Sequence, residues 1–216
     1  GGNIASGGNS VVAGGAAHTA SGLYSTIVGG LQNKAYVDYV FIGGGCRNNF
    51  FGTNGCSSAI VNGCYNQTNG YMSFVGNGQN NCATQDYSSV LNGWVNCATG
   101  VFSSVVGGCG NIASGYLSFI GGGRGNCAIG DISTIGGGCF NKTCSFYATI
   151  SGGRQNTACG QQSFIGGGER NITCGLSSSV SGGYRNVASA TVSFVGAGCC
   201  NCATGLYSAV VGGCLL

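Results

Sequence analysis

The sequence repeats every fifteen residues, and that period constrains the fold more than any other feature. Written from its glycine pair, the unit is Gly-Gly-x-x-Asn-x-Ala-x-Gly-x-x-Ser-x-(Val/Ile)-x, in fourteen copies. Position five is Asn in thirteen of them, as at Asn111, Asn126 and Asn156, and His18 takes the place once. Position two is always Gly, and position fourteen is always Val or Ile, as at Ile120, Ile135 and Ile165. Fifteen residues are too few for a helix pair or a propeller blade, but they suffice for one solenoid coil of two short strands and two turns. The chain therefore reads as all-β, a parallel β-solenoid of about fourteen coils forming a single domain over residues 1–216. At ~4.8 Å per coil, the rod is expected to be on the order of 65–70 Å long. The copy at 44–61 has eighteen residues, and its three extra residues, near Thr53-Asn54-Gly55-Cys56, are expected to bulge at a coil corner.

Side-chain parity assigns the faces. Asn at five, Ala at seven and Gly at nine share one parity, and Ser at twelve and Val or Ile at fourteen share another, so a period of two points each set inward. The interior is then thin, with Val and Ile stacking coil upon coil and with Asn and Ser forming hydrogen-bonded ladders.

The outward positions differ between the two strands. All charged residues fall at positions three, four, six or ten, and none between eleven and fifteen. That second strand carries Tyr24, Tyr87, Phe102, Leu117, Ile132, Tyr147 and Tyr207 at eleven, and Phe41, Phe74, Phe119, Phe164 and Phe194 at thirteen. Each of those phenylalanines is followed two residues later by glycine, whereas small residues at thirteen usually precede Val or Leu. Solvent imposes no such conservation of volume, so the pattern predicts a close-packed face, and hence an oligomer.

The run Ser-x-(Val/Ile)-x-Gly-Gly-x-x-Asn-x-Ala-x-Gly resembles the head repeats of trimeric autotransporter adhesins over essentially the whole chain. The resemblance implies a left-handed β-roll and a homotrimer packed through its apolar outer strands. The present unit is one residue longer than that family's usual repeat and richer in cysteine.

Fifteen cysteines and a single His suggest an oxidising compartment, placing the chain outside the cell, on a cell surface or on a virion. Three pairs recur at one spacing, Cys97 with Cys109, Cys127 with Cys139 and Cys202 with Cys214, each joining position six of one coil to position three of the next. Cys144, Cys159 and Cys174 form a ladder at position eight. Both sets lie within reach of coil-to-coil disulfides. The odd total leaves at least one thiol free or paired between chains. Asn66, Asn141 and Asn171 open glycosylation sequons, but inward-pointing Asn would not accept a glycan.

The remaining residues argue against other classes. No basic run follows a phosphate backbone, so nucleic acid is not an expected partner. No apolar run approaches eighteen residues, so this segment is not expected to insert in a membrane. The start at Gly1-Gly2-Asn3 reads as processed or excerpted. Asp38, Asp86 and Asp131 sit on distant coils, His18 replaces a ladder Asn, and neither a catalytic site nor a cofactor or metal is expected. The expectation is a non-enzymatic, disulfide-reinforced adhesion fibre that presents a rigid surface to an unknown ligand or receptor. A filament polymerising end to end through open coil edges is the alternative, and an ice-binding solenoid is a weaker one.

Overall fold

The computed structural model describes residues 2–50 and 56–214. Their contacts divide the chain into two compact units, Gly1–Gly110 and Asn111–Leu216, where the repeat alone suggests one domain. Each unit is a parallel β-solenoid, and no helix occurs among the described residues.

Each coil contributes one two-residue strand at positions six and seven and another at thirteen and fourteen. In the first unit these run from Ile4–Ala5 to Cys97–Ala98 and from Val11–Val12 to Ser104–Val105. In the second they run from Ile112–Ala113 to Cys202–Ala203 and from Phe119–Ile120 to Ala209–Val210. Equivalent residues stand opposite one another, Val75 beside Val90 in the first unit and Ile150 beside Ile165 in the second. Position three adds a third column of single parallel bridges, for example Leu31 to Cys46 and Arg154 to Glu169. The repeat pattern by itself implies only two columns.

The strands are short because residues with left-handed backbones, most of them not glycine, interrupt the chain twice per coil, in addition to the glycine at position two. Position four is one such site and position eleven the other, with Tyr24 at φ 54° and Ile132 at φ 54°. Position eleven thus lies in a turn, not on the outer face of the second strand where alternation places it. The fixed Gly at position two has the same origin: Gly153 has φ 87°, and a Cβ there would stand 2.2 Å from the carbonyl oxygen of Gly168.

The interior matches the parity argument. Asn126, Ala128, Ser133 and Ile135, one coil's inward set, are each 0% exposed. The asparagines form a continuous ladder within each unit. Asn126 Oδ1 accepts the backbone N–H of Asn141 at 2.9 Å, while its Nδ2 donates to the carbonyls of Gly122 at 2.9 Å and Gly138 at 3.0 Å. One amide side chain thereby satisfies three backbone groups that burial would otherwise orphan. The serines do not form the expected ladder. Ser25 and Ser178 instead donate to the carbonyls of Gly22 and Gly175, three residues back and each at 2.8 Å, closing the position-nine turn.

The eighteen-residue copy is accommodated as a register step. Lys34 pairs with Asn49 at a separation of fifteen, whereas Phe41 pairs with Ala59 at eighteen. The three extra residues therefore enter after Asn49 and before Ala59, and regular stacking resumes with Ala59 beside Phe74. Thr53, Asn54 and Gly55 lie outside the described residues.

Candidate interaction surface

The turn at positions ten and eleven builds an exposed apolar corner in each unit. Asn9, Ser57, Gln162 and Ser177 hold position eleven in four coils, and Tyr24, Tyr39, Met72, Tyr87 and Phe102 of the first unit and Leu117, Ile132, Tyr147, Val192 and Tyr207 of the second hold it in the other ten; all have left-handed backbones. These ten are exposed, from 37% at Ile132 to 76% at Tyr207. Neighbouring rings stack along the corner, Tyr24 on Tyr39 at 5.3 Å and Tyr87 on Phe102 at 4.6 Å between centroids. A left-handed backbone costs a non-glycine residue roughly 1–2 kcal/mol, and a β-branched one is a genuine outlier. The corner therefore retains large apolar side chains where Gly or Asn would relieve the backbone.

Position thirteen continues this surface. Phe41, Phe119, Phe164 and Phe194 are exposed and Phe74 is half-buried. The size compensation with position fifteen has a local cause. A Cβ on Gly43 would lie 3.4 Å from Cε1 of Phe41 and 2.4 Å from the Val61 carbonyl oxygen, and Gly76 stands in the same relation to Phe74. The rings of Phe41, Phe74, Phe119 and Phe164 each cover their own glycine, so the compensation does not by itself require a second chain.

The charged residues serve the coil corners. Asp38, Asp86 and Asp131 each accept a backbone N–H from the preceding coil, those of Leu23, Tyr71 and Tyr116, at 2.8, 2.9 and 2.9 Å. They act as structural acceptors. In the first unit an open pocket of about 400 Å³ is lined by Ala17, Gln32, Lys34, Arg47 and Tyr65. Arg47 donates from Nε to Gln32 Oε1 at 2.7 Å and from Nη1 to the Tyr65 hydroxyl. In the second unit the Arg185 guanidinium lies 5.0 Å from the Tyr184 ring centroid.

The cysteines follow the stacking register more closely than the spacing in the sequence suggests. Cys82 and Cys97, both at position six, form a disulfide with Cα atoms 4.7 Å apart. Cys97 is thus unavailable to Cys109, which is a free thiol. The reason is geometric: in a parallel in-register stack the nearest neighbour of a residue is its own equivalent one coil away, not a residue three positions removed. Cys127, Cys139, Cys202 and Cys214 are likewise thiols. Cys139 bridges Arg124 and Arg154 on position three, and Cys214 bridges Cys199. Two further contacts are not anticipated by the recurring spacings. Cys46 and Cys64 approach with sulfurs 2.7 Å apart, and Cys199 lies 3.2 Å from Cys200. Cys46 and Cys64 share position three across the eighteen-residue copy, a signal visible once its insertion is allowed for.

These contacts shift the thiols. The hydrogen bond with Cys64, and then burial, push Cys46 above the usual thiol range. Burial raises Cys127. Burial and then the hydrogen bond with Cys144 push Cys159 up to about 12, and the hydrogen bond with Cys200 leads the causes that push Cys199 up to about 11.

The sequon asparagines are ladder members. Asn66, Asn141 and Asn171 are at most 1% exposed, and each Nδ2 donates to two glycine or asparagine carbonyls, as Asn141 does to Gly137 and Gly153. In the folded coil these amides cannot carry a glycan. His18 fills its rung imperfectly. Its Nδ1 accepts the backbone N–H of Asn33 at 3.1 Å, which leaves the ring proton on Nε2, and Nε2 is buried without a partner.

Among the described residues, no group of three or more His, Cys, Asp or Glu is arranged to hold a metal ion and no helix is long and apolar enough to cross a membrane. No protein-family model matches this chain, and no curated protein matches it at a significant level.

Proposed function

We propose that the chain is a non-enzymatic structural and adhesive fibre domain of the cell exterior or a virion surface, self-associating as a homotrimer of left-handed rolls and presenting a rigid surface for attachment. The observation that carries this reading is the corner at position eleven. Tyr, Phe, Met, Leu, Ile and Val keep exposed, left-handed positions there in ten of the fourteen coils, where both the backbone and the solvent favour Asn or Gly. A packed partner supplies what the isolated chain lacks, an apolar cover for those side chains. The handedness and the number of chains rest on the likeness of the repeat to trimeric adhesin heads.

Ice binding is not favoured by the register. Thr26 lies beside Phe41 and Thr134 beside Phe119, which interrupts any flat hydroxyl array on that strand.

Sedimentation equilibrium or native mass measurement tests the assembly, with and without reductant. A three-chain mass that persists in reductant is expected, and Val192→Asn together with Tyr147→Ser is expected to lower it. A monomer at tens of micromolar in both conditions would overturn the proposal.

A further inference from the structure

The thiols at position eight present a problem that the disulfide at position six does not. Cys144, Cys159 and Cys174 stand on three consecutive coils of the second unit, held in register by backbone bonds from Cys144 N–H to the Ala158 carbonyl at 2.9 Å and from Cys159 N–H to the Thr173 carbonyl at 2.8 Å. Cys159 is hydrogen-bonded to Cys144 on one side and feels the Cys174 thiol on the other. The Cys82–Cys97 bond shows that equivalent positions on adjacent coils, with Cα atoms 4.7 Å apart, accept a disulfide. Cys144 and Cys174 are two coils apart, about 9.5 Å, beyond the reach of a direct bond. The central sulfur can therefore bond to either neighbour but never to both.

We propose that Cys144, Cys159 and Cys174 form a redox-modifiable triplet in which Cys159 bonds to one neighbour at a time, so that one sulfur of the set always stays outside the protein disulfide. The oxidant class is a low-molecular-weight disulfide such as oxidised glutathione. Cys174, the exposed member, is the entry point. Its thiolate attacks the glutathione disulfide and releases one glutathione thiolate. Cys159, losing its proton, then attacks the Cys174 sulfur and releases the second glutathione. The sum is two thiols and one disulfide converted to one protein disulfide and two glutathione thiols. In a further step the Cys144 thiolate attacks the Cys159 sulfur and Cys174 leaves as a thiolate, an exchange with no net oxidation. Burial holds Cys159 as a poor thiolate, which makes its attack on the Cys174 mixed disulfide the slow step and calls for alkaline pH.

The placement of basic residues makes the test direct. Trypsin cuts after Lys142, Arg154, Arg170 and Arg185, so peptides 143–154, 155–170 and 171–185 carry one of the three cysteines each. The whole chain is reduced, treated with oxidised glutathione at pH 8.5, quenched in acid, alkylated and mapped by mass spectrometry without reduction. Two linked species are expected, 143–154 with 155–170 and 155–170 with 171–185, their ratio still changing after the oxidant is removed while their sum stays constant. Cys159→Ser is expected to abolish both, Cys144→Ser to leave the link between 155–170 and 171–185, and Cys174→Ser, which lacks the exposed entry thiol, to leave the link between 143–154 and 155–170 but to form it more slowly. A link between 143–154 and 171–185, a single frozen connectivity, or a triplet that stays reduced would each overturn the proposal.

Discussion

Asn156 Oδ1 accepts the backbone N–H of Asn171 at 2.9 Å, and this contact, one rung of the interior ladder, couples each coil to the next through a side chain as well as through the strands. Asn156 also donates to Gly152 at 3.1 Å and Gly168 at 2.9 Å. Truncation therefore orphans up to three buried backbone groups. Asn156→Ala is expected to cost about 3–5 kcal/mol, since each unmet group costs ~1–3 kcal/mol and part of the loss relaxes. Urea denaturation followed by circular dichroism measures it, and a loss below about 1 kcal/mol would show that the rung is dispensable.

His18→Asn is expected to have the opposite sign. The histidine keeps the acceptor half of the rung but leaves Nε2 buried and unpartnered, whereas Asn would direct Nδ2 at the Gly14 and Gly30 carbonyls as its equivalents do in other coils. A gain of about 1–2 kcal/mol in the same assay is expected.

Adjacent glycines provide a matched pair. A Cβ on Gly152 would meet nothing within 4 Å, whereas at Gly153 the φ of 87° and the Gly168 oxygen, 2.2 Å from where a Cβ would stand, both oppose a side chain. Gly152→Ala is expected to stay within about 0.5 kcal/mol of the parent. Gly153→Ala is expected to lose about 3 kcal/mol or more, from backbone strain plus displacement of the neighbouring coil. Equal midpoints for the two variants would contradict the close backbone approach.

Cys159 gives the reduced protein a pH signature. Its thiol is pushed up to about 12, first by burial and then by Cys144, while an unfolded thiol titrates near about 8.5. A raised folded value means that the stabilising contribution is complete below about 8.5 and is lost as pH climbs toward 12, because the unfolded chain releases its proton first. The urea midpoint of the reduced chain is expected to fall between about pH 8 and pH 10, and to fall less in Cys159→Ser. Alkylation of Cys159 at pH 8 is expected to be on the order of a hundredfold slower than that of an unperturbed thiol, after allowing for the higher intrinsic reactivity of a more basic thiolate.

The coil and its filling were legible in the sequence because they depend on parity alone. Asn126, Ala128, Ser133 and Ile135 recur at spacings that alternation sends to one side, and all are fully buried. What parity cannot convey is where a strand stops. Tyr24 and Ile132 look like strand residues by composition, yet a left-handed backbone places them in a turn. The same blindness affects the cysteines. A recurring twelve-residue interval makes Cys97 and Cys109 look paired, whereas strict in-register stacking joins Cys97 to Cys82. The serine hydroxyls offer no signal at all, since bonding to the coil above and bonding three residues back both suit a buried Ser.

The step from fifteen to eighteen at Phe41 and Ala59 shows how such a chain tolerates change in length. Within a unit, gaining or losing one whole copy leaves every remaining rung and bridge in place, while any other increment has to be absorbed between strands. Change in length by whole copies would therefore alter this molecule in discrete steps, letting evolution adjust its extent while the ladder and bridge pattern of the other coils is kept.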